Sequence, residues 1–294
     1  MIIIGNFSKF KIKTRRFIAK KFIVPILFIY KIKFQFVKFG AAPPIIILTP
    51  GKVGSSSVYF TLKGKIPNKV FHIHYLSSNG ILEAKEQHLK SDRKSIPLHL
   101  IISGFLNDKL AKYNGEVNII TIVREPISRQ ISSFFQNIDF YKSSIESESL
   151  DIDINKSINI LNDLFEDNIC QKSENWFEQE IHKNFGIDVF MQPFNEKKNY
   201  MIFLEGRYKL LLMKMETIDQ IFSKAIQEFL SKDAPIYLKK SNIGENKHYA
   251  KRYIKIKKEF KIDSNSLEGI VSSKYFKHFY SVLTDEIKLK WSSE

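Results

Sequence analysis

The sequence predicts an α/β fold, a mostly parallel, doubly wound sheet flanked by helices. Two short continuous apolar runs, Ile45–Thr49 and Val117–Val123, have the pattern of strands buried on both faces. Strand-like and helix-like segments alternate from residue 45 to residue 137, the order that builds parallel sheets. With 44% hydrophobic residues in 294, the chain can bury one large core.

The elements follow in order. Residues 1–40 read as a basic N-terminal arm and 41–294 as the folded domain. The formal net charge is +15, and residues 1–82 carry fourteen Lys or Arg and no Asp or Glu, the first acid being Glu83. The remainder is close to neutral. That excludes a nucleic-acid-binding body with basic residues spread over it, and leaves a basic arm on an ordinary globular domain. The longest apolar run of the arm, Phe22–Tyr30, is nine residues with Pro25 inside, against the about 20 that a spanning helix needs. Lys31 and Lys33 stand where a signal peptide would have its small-residue cleavage site. Two readings of the arm stay open. It packs on the domain and shows its lysines to water, or it lies at the inner face of a membrane with aromatic and basic residues interleaved. Cys170 is the single cysteine, so no internal disulfide forms, and no Cys/His cluster has zinc spacing. A cytoplasmic protein without a metal is expected.

Ala41–Pro44 punctuates the end of the arm. The strand Ile45–Thr49 leads into a glycine-containing turn and a helix near Ser55–Leu62. Val70–His74 reads as the second strand, and Ile81–Ser91 as a helix after an Asn79-Gly80 turn. Pro126 suits the first turn of a helix that follows Val117–Val123 and runs to about Asn137. Residues 139–180 hold eleven acids against three bases, and the stretch 139–190 reads as a solvated helical insertion or lid. Within it, Trp176–Phe185 is an amphipathic helix ended by Gly186. Tyr200–Glu205 and Tyr208–Lys214 are strands around a Gly206-Arg207 turn. Thr217–Leu230, Lys247–Phe260 and the C-terminus read as helices.

Three segments carry chemistry. In T-P-G-K-V-G-S-S-S (Thr49–Ser57) a buried strand feeds a glycine turn and a serine run that opens a helix. Backbone N–H groups at a helix start, with hydroxyls beside them, form an anion site, and Lys52 adds a point charge. It is not a Walker sequence, because the lysine precedes the last glycine; a plain capped turn would look the same. In V-R-E-P-I-S-R-Q-I-S-S-F-F (Val123–Phe135), Arg124 ends a strand at the edge where open α/β sheets bind ligands. Ser132 lies two helical turns on, so guanidinium and hydroxyl together suit a phosphate. Arg129 is a weaker candidate, and a surface ion pair for Arg124 is the bland reading. In F-H-I-H (Phe71–His74) two histidines share one face of a strand. They are too few for a zinc site, but imidazole suits a base near neutral pH, with an acid limb expected at about pH 6–7. The later residue, His74, stands nearer the carboxyl edge. Satisfied core histidines remain the alternative.

In this order the first two segments resemble the 5′-phosphosulfate loop and the 3′-phosphate motif of sulfotransferases that use PAPS (3′-phosphoadenosine 5′-phosphosulfate). Lys52, Gly54, Ser55 and Ser56 match the loop, with Val53 where the family has Ser or Thr, and Gly51 and Ser57 flank it as further candidates for cofactor binding. Arg124, Glu125, Pro126, Arg129 and Ser132 match the second motif throughout. Leu212–Ile218, with Glu216 at its acidic position, is similar to a late segment of these enzymes. The N-x-G-x-x-K-x-Y run carrying Asn242 and Lys247, and Trp176–Phe190, resemble the capsular polysaccharide synthesis branch of bacterial sulfotransferases. F-H-I-H resembles the H-x-H strand of uronyl 2-O-sulfotransferases, which assigns the base to His74. The resemblance covers about residues 45–260. It implies a P-loop-like fold, PAPS as donor with PAP as product, no metal, and a saccharide hydroxyl as acceptor. Lys52 would stabilise the leaving group, Arg124 and Ser132 the 3′-phosphate, and Asn242 and Lys247 the nucleotide. A nucleotide kinase of related fold lacks its Walker lysine and Mg²⁺-binding Asp here. A glycosyltransferase would need Asp151-Ile152-Asp153 as its metal motif, yet no buried strand precedes it. A non-enzymatic capsule-assembly protein would explain the arm but not Lys52, Arg124 and Ser132.

Overall fold

The structure, a computed structural model, describes residues 23–90, 96–138, 154–166, 169–241 and 250–292. In chain order its elements are α1 (Ile23–Gln35), β1 (Ile45–Leu48), α2 (Ser55–Leu62), β2 (Val70–Ile73), α3 (Ser78–Lys90), α4 (Leu98–Leu110), β3 (Val117–Val123) and α5 (Pro126–Gln136). Then come α6 (Ile154–Glu166), α7 (Ile169–Phe177), β4 (Tyr200–Glu205), β5 (Tyr208–Lys214), α8 (Ile218–Leu230), α9 (Ala250–Glu259), α10 (Ser264–Ser272), α11 (Lys274–Phe279) and α12 (Thr284–Trp291).

The five strands run in the order β2-β1-β3-β5-β4. β1 pairs in parallel with β2 and β3, β3 pairs in parallel with β5, and β4 is the antiparallel edge. Alternation along each buried strand sends side chains to opposite faces. Ile46, Leu48, Ile119, Leu210 and Leu212 enter one core, and Ile45, Ile47, Ile120, Leu211 and Met213 the other. α2 and α8 cover the second face, while α4, α5 and the later helices cover the first. The expected mostly parallel sheet flanked by helices is therefore what forms. Because the chain leaves β1 toward β2 on one side and the sheet continues through β3 on the other, the crevice lies at the carboxyl ends of β1 and β3.

Three local expectations change. α4 has no counterpart in the pattern read from the sequence: its apolar residues are nearly continuous, and it starts behind Pro97 with no side-chain cap. α3 starts at Ser78, so Asn79 and Gly80 lie inside its first turn. Gly80 is needed there for clearance, since a Cβ would come within 2.1 Å of Glu180 Oε1. The described helices of the acidic stretch are not solvated throughout. Leu161, Phe165, Cys170, Trp176, Phe177 and Ile181 pack into the larger core, while Asp163, Glu166 and Glu178 are exposed and Glu180 is buried. α7 runs on through a π-helical turn, Glu178–His182, to Lys183–Phe185 and stops at Gly186, whose φ is 73°. Of the arm, Phe34 and Phe39 are buried in the core.

Candidate functional site

A cleft of about 520 Å³ opens at the carboxyl edge of the sheet. Lys52, Gly54, Ser55, Ser56 and Ser57 line one wall, Arg124 and Ser132 another, and His74 reaches it from β2. Three segments that are far apart in sequence thus meet in one place. Gly51 and Val53 do not line it. The Val53 side chain is fully buried in the core under α8, so this position contributes only backbone to the loop. Asn242, Lys247 and the Asp151-Ile152-Asp153 sequence lie outside the described residues.

The loop after β1 is tightly wound. Lys52 has φ 72° and Gly54 φ 76°. A left-handed conformation is free for glycine but costs a lysine of the order of 1 kcal/mol, and such strain collects at functional sites. Gly54 is required twice over: besides its φ, a Cβ there would stand 2.5 Å from Met215 Sδ. The turn aims the N-terminus of α2 into the cleft, where the N–H groups of Ser55 and Ser56 have no partner from the helix itself. Ser57 N donates to Gly54 O at 3.0 Å, and Ser57 Oγ pairs with both the N–H and the carbonyl of Ser241. Ser57 therefore fastens the segment after α8 over the loop.

Arg124 joins the two anion motifs directly. Its Nη1 donates to the carbonyl of the strained Lys52 at 2.8 Å. The backbone of Arg124 is held in turn by Tyr275, whose hydroxyl accepts from Arg124 N at 3.2 Å and donates to Arg124 O at 3.0 Å. Glu125 is the N-cap of α5, accepting from Ile127 N and Ser128 N at 2.6 and 2.9 Å. Its burial raises the carboxyl pKa, against the pull of those hydrogen bonds. Glu125 N donates to Glu216 Oε1, and Tyr280 donates to Glu216 Oε2. The Glu of the R-E-P sequence and Glu216 are thus scaffolding for Arg124. Arg129 does not line the cleft; its charge acts on Tyr275 and Cys170 instead.

The two histidines have different jobs. His72 Nε2 lies 2.8 Å from Ser55 Oγ, under the anion loop, and burial with the neighbouring His74 lowers its pKa to about 4. His74 Nδ1 lies 2.8 Å from the carbonyl of Thr49. A carbonyl only accepts, so Nδ1 carries the proton and Nε2 keeps its lone pair. Burial, opposed by that hydrogen bond and reinforced by the Lys52 charge, lowers the His74 pKa. The lowered value favours the neutral imidazole near pH 7. His99, at the start of α4, stands edge-on to His74 with ring centroids 5.4 Å apart. Burial first, then the other histidines, brings its pKa down to about 3. Among the described residues no group of His, Cys, Asp and Glu could hold a metal ion.

The loop that carries His74 is held from α7. Trp176 Nε1 donates to His74 O at 2.9 Å. Glu180, only 1% exposed and inside the π-helical turn, accepts from Leu76 N, Ser77 N and Ser77 Oγ at 2.6, 2.8 and 2.6 Å. π-turns recur at functional sites, and here the carboxylate in that turn meets the Leu76–Ser77 loop that follows β2. Sequence reasoning missed His99, Tyr275, Tyr280 and the roles of Trp176 and Glu180. Only the W-F-E-Q-E segment offered a signal.

Residues 149–281 match the family model NKWYS, described as "Putative capsular polysaccharide synthesis protein". The match takes in Trp176, Glu180, Glu216 and Tyr275, but neither the Lys52 loop, nor Arg124, nor His74. No curated protein and no solved structure matches the chain.

Proposed function

We propose that the protein is a PAPS-dependent sulfotransferase that acts on a hydroxyl of a saccharide in capsule synthesis. The observation that carries this reading is the meeting of the Lys52–Ser57 turn, Arg124 with Ser132, and His74 around one cleft. Its volume lies in the range of small-molecule and nucleotide sites. The donor chemistry fits the residues present: a helix N-terminus with two open N–H groups and a lysine at one end, and an arginine with a serine at the other. Bound PAPS would supply an activated sulfuryl group on a phosphate leaving group.

The chain's own residues then divide the work. Lys52 and the N–H groups of Ser55 and Ser56 stabilise negative charge where the sulfur–oxygen bond to phosphate breaks. Arg124 and Ser132 hold the 3′-phosphate. His74 Nε2 takes the proton of the acceptor hydroxyl as that oxygen bonds to sulfur, and Thr49 O steadies the imidazolium through Nδ1. No metal enters these steps.

The match to a capsular polysaccharide family supports a saccharide as the acceptor. Calorimetry with PAP against ADP, followed by transfer of labelled sulfate from PAPS to a panel of polysaccharides, tests the reading. Micromolar PAP binding and a labelled saccharide are expected. Equal binding of ADP and PAP with no transfer would overturn it.

A further inference from the structure

Outside the cleft, the outer face of α1 carries a run of exposed large apolar side chains. Phe28 is 63%, Ile29 60%, Ile32 39% and, just past the helix, Phe36 78% exposed. At about 100° per residue, these four and the exposed Pro25 fall on one stripe along the helix. Lys31 and Lys33 fall on its two edges. The opposite face is anchored. Phe34 packs on Phe71 and Phe105, with ring centroids 6.1 and 5.7 Å away, and Lys109 Nζ donates to Phe34 O at 3.1 Å. The helix therefore cannot roll to bury its stripe without giving up core contacts.

We propose that this face docks the protein on an anionic phospholipid bilayer, lying in the interface without crossing it. Charge decides the occupant. Residues 1–82 hold fourteen Lys or Arg and no Asp or Glu, so every charged side chain on the helix and on the chain flanking it is positive. An apolar stripe with lysines on both edges suits a headgroup layer, into which aromatic and aliphatic side chains sink while the ammonium groups reach anionic phosphates. A second copy of the same basic surface would be repelled. No helix among the described residues is long and apolar enough to span the bilayer.

The test is co-sedimentation of the full chain with vesicles of phosphatidylcholine, with and without phosphatidylglycerol. The chain should pellet with the anionic vesicles and far less with the neutral ones. Phe28→Ser, Ile29→Ser and Phe36→Ser together should lower the bound fraction by about tenfold or more, with an unchanged thermal melt because the inner face is intact. Lys31→Glu with Lys33→Glu, at exposed positions that do not support the core, should weaken binding to anionic vesicles several-fold. The proposal is overturned if the wild-type chain stays in the supernatant with anionic vesicles, or if both variants pellet as well as it does. Dimerisation without lipid that the triple serine variant abolishes would also overturn it, by assigning the face to a second copy.

Discussion

The two halves of the chain share the site unequally. The first half lines the cleft with the Lys52–Ser57 turn, His74, Arg124 and Ser132, and the second half adds Asp219, Lys240, Tyr253 and Lys257. The second half supplies most of what holds them. Tyr275 grips the backbone of Arg124, Glu216 grips Glu125, and Trp176 and Glu180 grip the loop after β2. The capsular family match falls on this second half. A supporting shell can thus lie in the part of the chain that matches a family while the candidate reactive groups sit elsewhere. Positioning by buried hydrogen bonds needs particular residue types at particular distances, as reaction chemistry does.

The comparison breaks most sharply at His74. His74→Ala should lower kcat by about 10³-fold, within the span of general-base catalysis, with PAP affinity kept. Under the proposed function the wild-type rate needs the neutral imidazole. Because its pKa is depressed, activity should hold as pH falls past 6.5 and fade only below that. A full-rate His74→Ala enzyme with an unchanged acid limb would move the base elsewhere.

Lys52 comes next. Lys52→Ala should cost about 10²-fold in kcat, and it should also move the acid limb upward, since a positive neighbour of His74 is gone. Lys52→Gly should lose the same rate yet melt higher, by up to about 1 kcal/mol of relieved backbone strain. If both variants melted lower than wild type, the left-handed turn would not be strained.

Arg124→Ala should weaken PAP binding by about 2–4 kcal/mol. Adenosine 5′-phosphosulfate, which lacks the 3′-phosphate, should lose less, but not nothing, because the guanidinium also holds Lys52 O. Equal losses measured by calorimetry would place Arg124 away from the 3′-phosphate.

The second half is sharpened by Glu180→Gln. It keeps the shape but weakens the acceptor for two N–H groups and a hydroxyl. A fall of roughly tenfold in kcat, with PAP affinity unchanged, is the expected result for a residue acting through His74. An unchanged rate would reduce Glu180 to core packing.

The smallest effect is on stability. His72 and His99 have folded pKa values below the ordinary 6.5, at about 4 and about 3. The unfolded chain therefore binds more protons between those values, and stability is lost as pH falls from 6.5 toward 4. His99→Gln should flatten that slope in urea titrations by about 1 kcal/mol. An identical slope would mean that His99 is solvated.

The strands of Ile45–Leu48 and Val117–Val123 and the helix starts at Ser55 and Pro126 were legible because each rests on local rules. Continuous apolar runs, Pro at a first helical turn, and glycine beside hydroxyls act over a few residues. The pairing of histidines on one face followed from the two-residue period of a strand. Other features were settled by partners 70 to 150 positions away: the Arg124 bond to Lys52 O, the Tyr275 grip on Arg124, and the Trp176 and Glu180 support of β2. The helix Leu98–Leu110 escaped for a related reason, since its near-continuous apolar face is explained by burial on the sheet and not by its own periodicity. Likewise Gly80 read as a turn, yet it sits in a helix, and glycine is required there because Glu180 leaves no room for a Cβ. Local sequence determines which groups can do chemistry. Tertiary packing decides which of them meet, and that His74 offers Nε2 because Nδ1–H donates to the carbonyl of Thr49.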